Sequence, residues 1–150
     1  MRSLAAALLL VFVPAVPARA ADPAPRYGIP ADLKTYPQSS PQETLASVLK
    51  TAEDKRFDYL LAHLADPAFV DDRVQRVFGG KFVLQVEDTR TRFDPTTVKL
   101  LGRFLKDGKW TIEGDQAVVR LDDIKDRAVF LKKVEGRWRL EHRNRPDEAK

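Results

Sequence analysis

From Lys109 to Arg143 apolar and polar residues alternate in four short runs, KWTIEG, DQAVVRLDD, DRAVFLKKV and RWRLEHR, with turn residues between them. A period of two predicts strands, and their close succession predicts an antiparallel meander. If Gly114-Asp115 is a two-residue turn, Ile112 faces Ala117 and Trp110 faces Val119, so Trp110, Ile112, Ala117, Val119 and Leu121 share one face. A second such turn at Glu135-Gly136 sets Lys133 opposite Trp138, Leu131 opposite Leu140 and Val129 opposite His142. Val129, Leu131, Trp138, Leu140 and His142 then form a second set on one face. The other face of this hairpin holds Lys132 against Arg139, a like-charged pair that calls for water around it.

Ahead of the sheet the period changes to that of helices. Ser40 is placed to cap, Pro41 takes the first helical position and Glu43 completes a capping box. Leu45, Val48, Leu49 and Ala52 then follow helical spacing. A short helix is predicted from Arg56 to about Ala65, with Phe57, Leu60, Leu61 and Leu64 inward. Asp66-Pro67 restarts the pattern with Val70, Val74, Val77 and Phe78, and Gly79-Gly80 stops it. Lys81 to Phe93 carries both strand-like residues, in FVLQV, and helical spacing, at Phe82, Val86 and Phe93; it is read as helix. Asp94-Pro95 opens a last helix with Val98, Leu101, Phe104 and Leu105 inward. The expected fold is α+β, N-terminal helices packed on a C-terminal antiparallel sheet of about four strands. Its expected core is Leu45, Val48, Leu49, Leu60, Leu64, Val74, Val77, Leu101, Phe104, Trp110, Val119, Leu131, Trp138 and Leu140.

The ends read differently. Arg2, the apolar run Leu4 to Val13 and the small residues before Ala20 have the form of a secretory signal peptide cut after Ala20, so residues 1–20 are expected to leave and the product to be secreted or periplasmic. The run is too short to span a bilayer, and no membrane partner is expected after cleavage. Residues 21–40 hold four prolines, with a fifth at Pro41, and read as a linker, outside the core or pinned to it by Tyr27, Ile29 and Tyr36. Residues 41–143 form the single domain, and 144–150 a polar tail. The 150-residue chain has no cysteine, which removes disulfides, thiol nucleophiles and thiolate metal sites. Its net charge of +4 falls to +2 once Arg2 and Arg19 leave. The basic excess lies in residues 127–145.

The segments SPQETLASVLKTAEDKRFDYLLAHLADPAFV and VFLKKVEGRWRLEHR together resemble the SnoaL-like, or nuclear-transport-factor-two-like, superfamily. That resemblance implies a curved sheet wrapped around a helix to make a cone, with a ligand or an active site at its mouth. Members include isomerases, dehydratases, hydrolases and noncatalytic binding modules. No position here matches the catalytic motifs of its enzymes, so no catalytic role is carried over.

Four groups of residues are candidates for chemistry. His142, by its register, lies on the apolar face at the sheet margin, where a pocket lined by Tyr59, Trp110, Trp138 and His142 would give it an acid–base or hydrogen-bonding role. His63, between Tyr59 and Asp66 on one helix end, is the second histidine and reads more simply as a surface residue. Asp122, Asp123 and Asp126 lack the spacing of a calcium loop and read as a solvated turn, so no metal is expected. Lys132, Arg137, Arg139 and Arg143 form a basic stripe suited to a polyanion, but Trp138 points away from it, so nucleic acid is not expected. Nucleotide, redox and serine-hydrolase motifs are absent, and no cofactor is implied. The leading expectation is a noncatalytic exported module for a small apolar ligand or a protein partner. The alternatives are an acid–base enzyme of the isomerase, dehydratase or hydrolase type using His142, and a polyanion binder using the stripe. Oligomeric state is not legible.

Overall fold

The computed structural model describes residues 23–143; the expected signal peptide and the tail lie outside the described residues. Helices come first: α1 (Pro41–Glu53), α2 (Phe57–Tyr59, continuing as a π-helical turn over Leu60–Leu64), α3 (Pro67–Arg76), α4 (Phe82–Arg92) and α5 (Pro95–Asp107). Strands β1 (Lys109–Glu113), β2 (Gln116–Leu121), β3 (Ile124–Val134) and β4 (Arg137–Glu141) follow. They make one antiparallel sheet in the order β1-β2-β3-β4. No helix among the described residues is long and apolar enough to cross a membrane.

The turns set the register that the alternation predicts. Trp110 pairs with Val119 and Ile112 with Ala117; Leu131 pairs with Leu140 and Lys133 with Trp138. Ala117 pairs with Leu131 and Val119 with Val129, so both sets fall on one continuous face. That face meets α1 and α5 through Leu45, Phe104, Val119 and Leu121, with Ala117, Leu131 and Trp138 beside them. Strand β1 runs past this cover. Trp110 is therefore only half-buried, and Ile112 is exposed.

Helix α1 starts as its sequence dictates. Ser40 Oγ accepts from the Glu43 amide at 3.1 Å, while the Glu43 carboxylate takes the amide of Ser39, one residue earlier than a capping box requires. The helix buries more than its apolar stripe. Thr44, Ser47 and Thr51 are also buried, and each satisfies its hydroxyl on a nearby carbonyl: Ser40, Pro37 and Val48 respectively. Leu49 is half-buried in consequence.

The centre of the helical layer is α2. Every residue from Tyr59 to Asp66 is buried. Its last turn widens, with the Ala65 amide reaching the Leu60 carbonyl five residues back at 2.9 Å. Residues 23–40 form a strap across this helix: Tyr36 enters the core, Arg26 Nε donates to the Ala62 carbonyl, and the Asp32 amide donates to the Tyr59 hydroxyl.

One expectation for the helices holds and one changes. Segment 81–93 is helical, as read. Val77, placed in the core by spacing, is 58% exposed, because α3 ends at Arg76 and Val77 is its C-cap. The chain then turns through Gly79 and Gly80, both at positive φ, and the Gly80 amide returns to the Val74 carbonyl.

At Gly108 the chain passes from α5 to β1 with no room for a side chain. A Cβ there would sit 2.2 Å from both the Phe104 carbonyl oxygen and Val119 Cγ2, whereas one on Gly102 would meet nothing within 4 Å. Gly108→Ala is expected to lower the free energy of unfolding by about 1–3 kcal/mol or more through forced displacement of α5 from β2. Gly102→Ala, inside the same helix, is expected to raise it by roughly 0.5–1 kcal/mol. Paired denaturant melts check both; equal effects at the two positions would refute the close approach at Gly108.

Candidate functional site

The open end of the β3–β4 hairpin, away from its turn, faces α2, α3, α4 and α5 across a cavity of about 350 Å³. The size is that of a small-molecule site. Leu60 and Leu61 of the π-helical turn form one wall, and Leu101 of α5 and Leu140 of β4 another. Phe69 of α3 and His142 meet at the rim, their rings stacked with centroids 4.1 Å apart. An adjoining groove shares Leu101, Val129, Phe130, Glu141 and His142 with it and adds Arg120, Lys125, Arg127 and Arg143. The site is apolar within and basic along one margin.

Polar groups on the wall fall into two kinds. The carboxylates are paired: Asp66 with Lys132 at 2.7 Å, Asp88 with Arg92 at 2.8 Å and Arg73 at 3.3 Å, and Glu141 with Arg143 at 2.9 Å. The bond from Arg92 is the main cause holding the Asp88 carboxyl below the usual aspartate range. Gln85 is different. Its side chain is 1% exposed, it borders the cavity, and its Oε1 is buried with no hydrogen-bond partner. A buried acceptor left unmade is costly, and a ligand that donates to it removes that cost.

Of the residues assigned to a pocket from sequence, His142 borders this cavity. Tyr59, Trp110 and Trp138 lie elsewhere. Tyr59 is enclosed between Tyr36 and His63, at ring separations of 4.4 and 4.9 Å. Trp138 is buried with Ala117 and Leu131 under α1. Phe69 and Gln85 belong to the site and were not singled out, and Leu101 was expected in the core, because helical spacing marks an inward face without saying whether that face is filled.

The basic stripe departs most from expectation. Lys132 and Arg139 do pair across the hairpin, yet the face is not solvated there: Arg139 is 1% exposed. The strap and the end of α2 cover it, and Arg139 Nη1 donates to the His63 carbonyl at 2.9 Å. Lys132 is occupied by Asp66, and Arg143 lies over the Phe130 ring at 4.1 Å. Arg137 is half-buried. His63, expected at the surface, is fully buried and bonds through Nε2 to the Ile29 carbonyl at 2.8 Å. It makes no pair with Asp66, which caps α3 at the Ala68 amide. Asp122 and Asp123 form the β2–β3 turn and pair with Lys109 and Arg103, each at 2.8 Å.

Comparison of the chain with protein-family models, curated proteins and solved structures finds no match. The site is thus read from its own geometry.

Burial is the first cause holding the His63 pKa below the ordinary 6.5, reinforced by the fields of Arg137, Arg139 and Arg26 and opposed by the bond to Ile29. The folded ring refuses a proton that the unfolded chain accepts below about pH 6.5. Stability is therefore retained above that pH and falls as pH drops toward the depressed folded value, by up to about 1.4 kcal/mol per pH unit. Aspartates whose pKa values are lowered, such as Asp88, lose their contribution only as pH falls through and below about 3.9. Denaturant melts across about pH 7.5 to 5 should show this decline, and His63→Gln should flatten it. An unchanged slope in the variant would remove His63 as its source.

Proposed function

We propose that this protein is a noncatalytic module, exported after loss of residues 1–20, which binds a small apolar ligand in the cavity between α2, α4 and the end of the β3–β4 hairpin. The observation that carries this reading is an apolar cavity of about 350 Å³ bordered by Gln85, whose buried Oε1 has no hydrogen-bond partner. The matching ligand is mostly hydrocarbon and has one hydrogen-bond donor. The SnoaL-like resemblance likewise implies a ligand or an active site at the mouth of a cone of sheet and helix.

An acid–base enzyme is the second reading, favoured by His142 sharing the rim with Asp66, Asp88 and Glu141. Against it stands the pairing of all three carboxylates with cations. An ionised carboxylate fixed on an arginine or lysine is a poor general acid at neutral pH. Apolar walls with committed carboxylates suit retention of a ligand better than its turnover.

N-phenyl-1-naphthylamine, neutral and apolar with a single N–H, is a suitable probe. Its fluorescence is expected to rise saturably at one site per chain, and Leu101→Trp, which fills the cavity from α5, should weaken binding at least about tenfold, comparable to about 1.4 kcal/mol. A thermal melt of the variant checks that the fold persists. Binding that does not saturate, or that ignores the tryptophan, would overturn the cavity as the site. For export, N-terminal sequencing of protein recovered outside the cytoplasm should begin Ala21-Asp22; an intact leader would refute cleavage.

A further inference from the structure

The strap, α2 and β4 bury a second cluster of polar side chains, separate from the apolar cavity. Arg137 and Arg139 stand two residues apart on β4, so their side chains leave the same face. Arg139 is 1% exposed and has one hydrogen bond, from Nη1 to the His63 carbonyl; its Nε is buried without a partner. Arg137 is half-buried, and its Nη1 is likewise buried without a partner. The carboxylates whose fields reach this pair are Glu135, exposed in the hairpin turn, and Asp66, bridged to Lys132. Neither bonds to a guanidinium of the pair. Arg26, the third cation nearby, is matched by Asp71.

Buried charge is ordinarily paired, and two adjacent guanidinium groups without a carboxylate repel each other as well as lacking a counterion. Burial accordingly pushes the Arg139 pKa down to about 10, with Arg137 and Arg26 adding to the shift. The neighbouring unspent atoms are acceptors. Gln38 Nε2 donates to the same His63 carbonyl as Arg139, which sets amide and guanidinium side by side, and Gln38 Oε1 has no partner. His63 Nδ1 is also unpartnered; with Nε2 donating to Ile29, it is the acceptor nitrogen of the neutral ring.

We propose that Arg137 and Arg139 form a binding site for a small oxyanion, reached from the half-exposed Arg137 side and closed over by the strap. The guanidinium forks supply N–H donors and charge matched to a phosphate, sulfate or carboxylate group. Gln38 and His63 favour an anion that keeps a proton, as a hydrogen phosphate does. Cover by the strap keeps a polymer away from Arg139, which separates this site from a surface polyanion stripe.

The test uses the full chain in dilute neutral buffer, with inorganic phosphate, sulfate and acetate added in turn and sodium chloride holding ionic strength constant. At least one oxyanion should raise the melting temperature saturably beyond the chloride control. A response to phosphate alone identifies a protonated phosphoryl group, equal phosphate and sulfate responses a tetrahedral dianion, and an acetate response a carboxylate. Arg137→Gln, at a half-buried position, should abolish the increment while the chloride-only melt stays cooperative. Leu101→Trp, which plugs the apolar cavity, should leave the increment intact, so failure of one site is distinguishable from failure of the other. No increment from any oxyanion, or an increment that survives Arg137→Gln, would overturn the proposal.

Discussion

The carbonyl of His63 holds three parts of the chain to one point. It lies in the last turn of α2, beyond which Ala65 is extended and Pro67 has no N–H to offer, and it accepts from Gln38 of the strap and Arg139 of β4 at the same distance, 2.9 Å. Gln38 extends the junction, its side-chain Nε2 donating to the Trp138 carbonyl and its backbone carbonyl taking the Trp138 N–H. One turn on, the Asp66 amide reaches the Leu140 carbonyl. The outer edge of β4 is thereby satisfied by strap and helix, not by another strand.

This junction determines where the two sites lie. The π-helical turn offers Leu60 and Leu61 to the apolar cavity, while His63 belongs to the polar site. A single turn of helix thus separates an oily compartment from a charged one. The cost of burying Arg139 falls on the same contacts that close the fold around α2, so the polar site and the stability of the molecule are coupled through one strand.

The sheet was legible from sequence because period two and the turns Gly114-Asp115 and Glu135-Gly136 leave one register that keeps Val119, Leu131 and Trp138 together. Helix starts were equally legible, since Ser40, Asp66 and Asp94 each precede a proline and each accepts an amide of the helix that follows. What escaped was burial of polar residues. Alternation assigns Arg139 to the face opposite Trp138, and a charged residue there reads as solvated; only the return of residues 23–40 across α2 reverses that. Segment 23–40 has no periodicity to announce such a return, as its contacts are made one side chain at a time through Arg26, Tyr36 and Gln38. His63 was misplaced for the same reason. The rim position of His142 followed from register, whereas its partner Phe69 depended on the angle at which α3 leaves Asp66, which no local pattern encodes.

The sheet has two edges of unequal character. On β4 the outward Trp138 amide and carbonyl are taken by Gln38 and the Leu140 carbonyl by Asp66, while among the described residues β1 pairs with β2 alone, with Lys109 and Glu113 exposed at its ends. Edge-to-edge growth therefore has a single starting line. Two chains joined along β1 would exhaust both open edges and stop at a pair, whereas a sheet open on both sides propagates without limit. Closing β4 with a helix end and a strap gives this fold a built-in end to polymerisation.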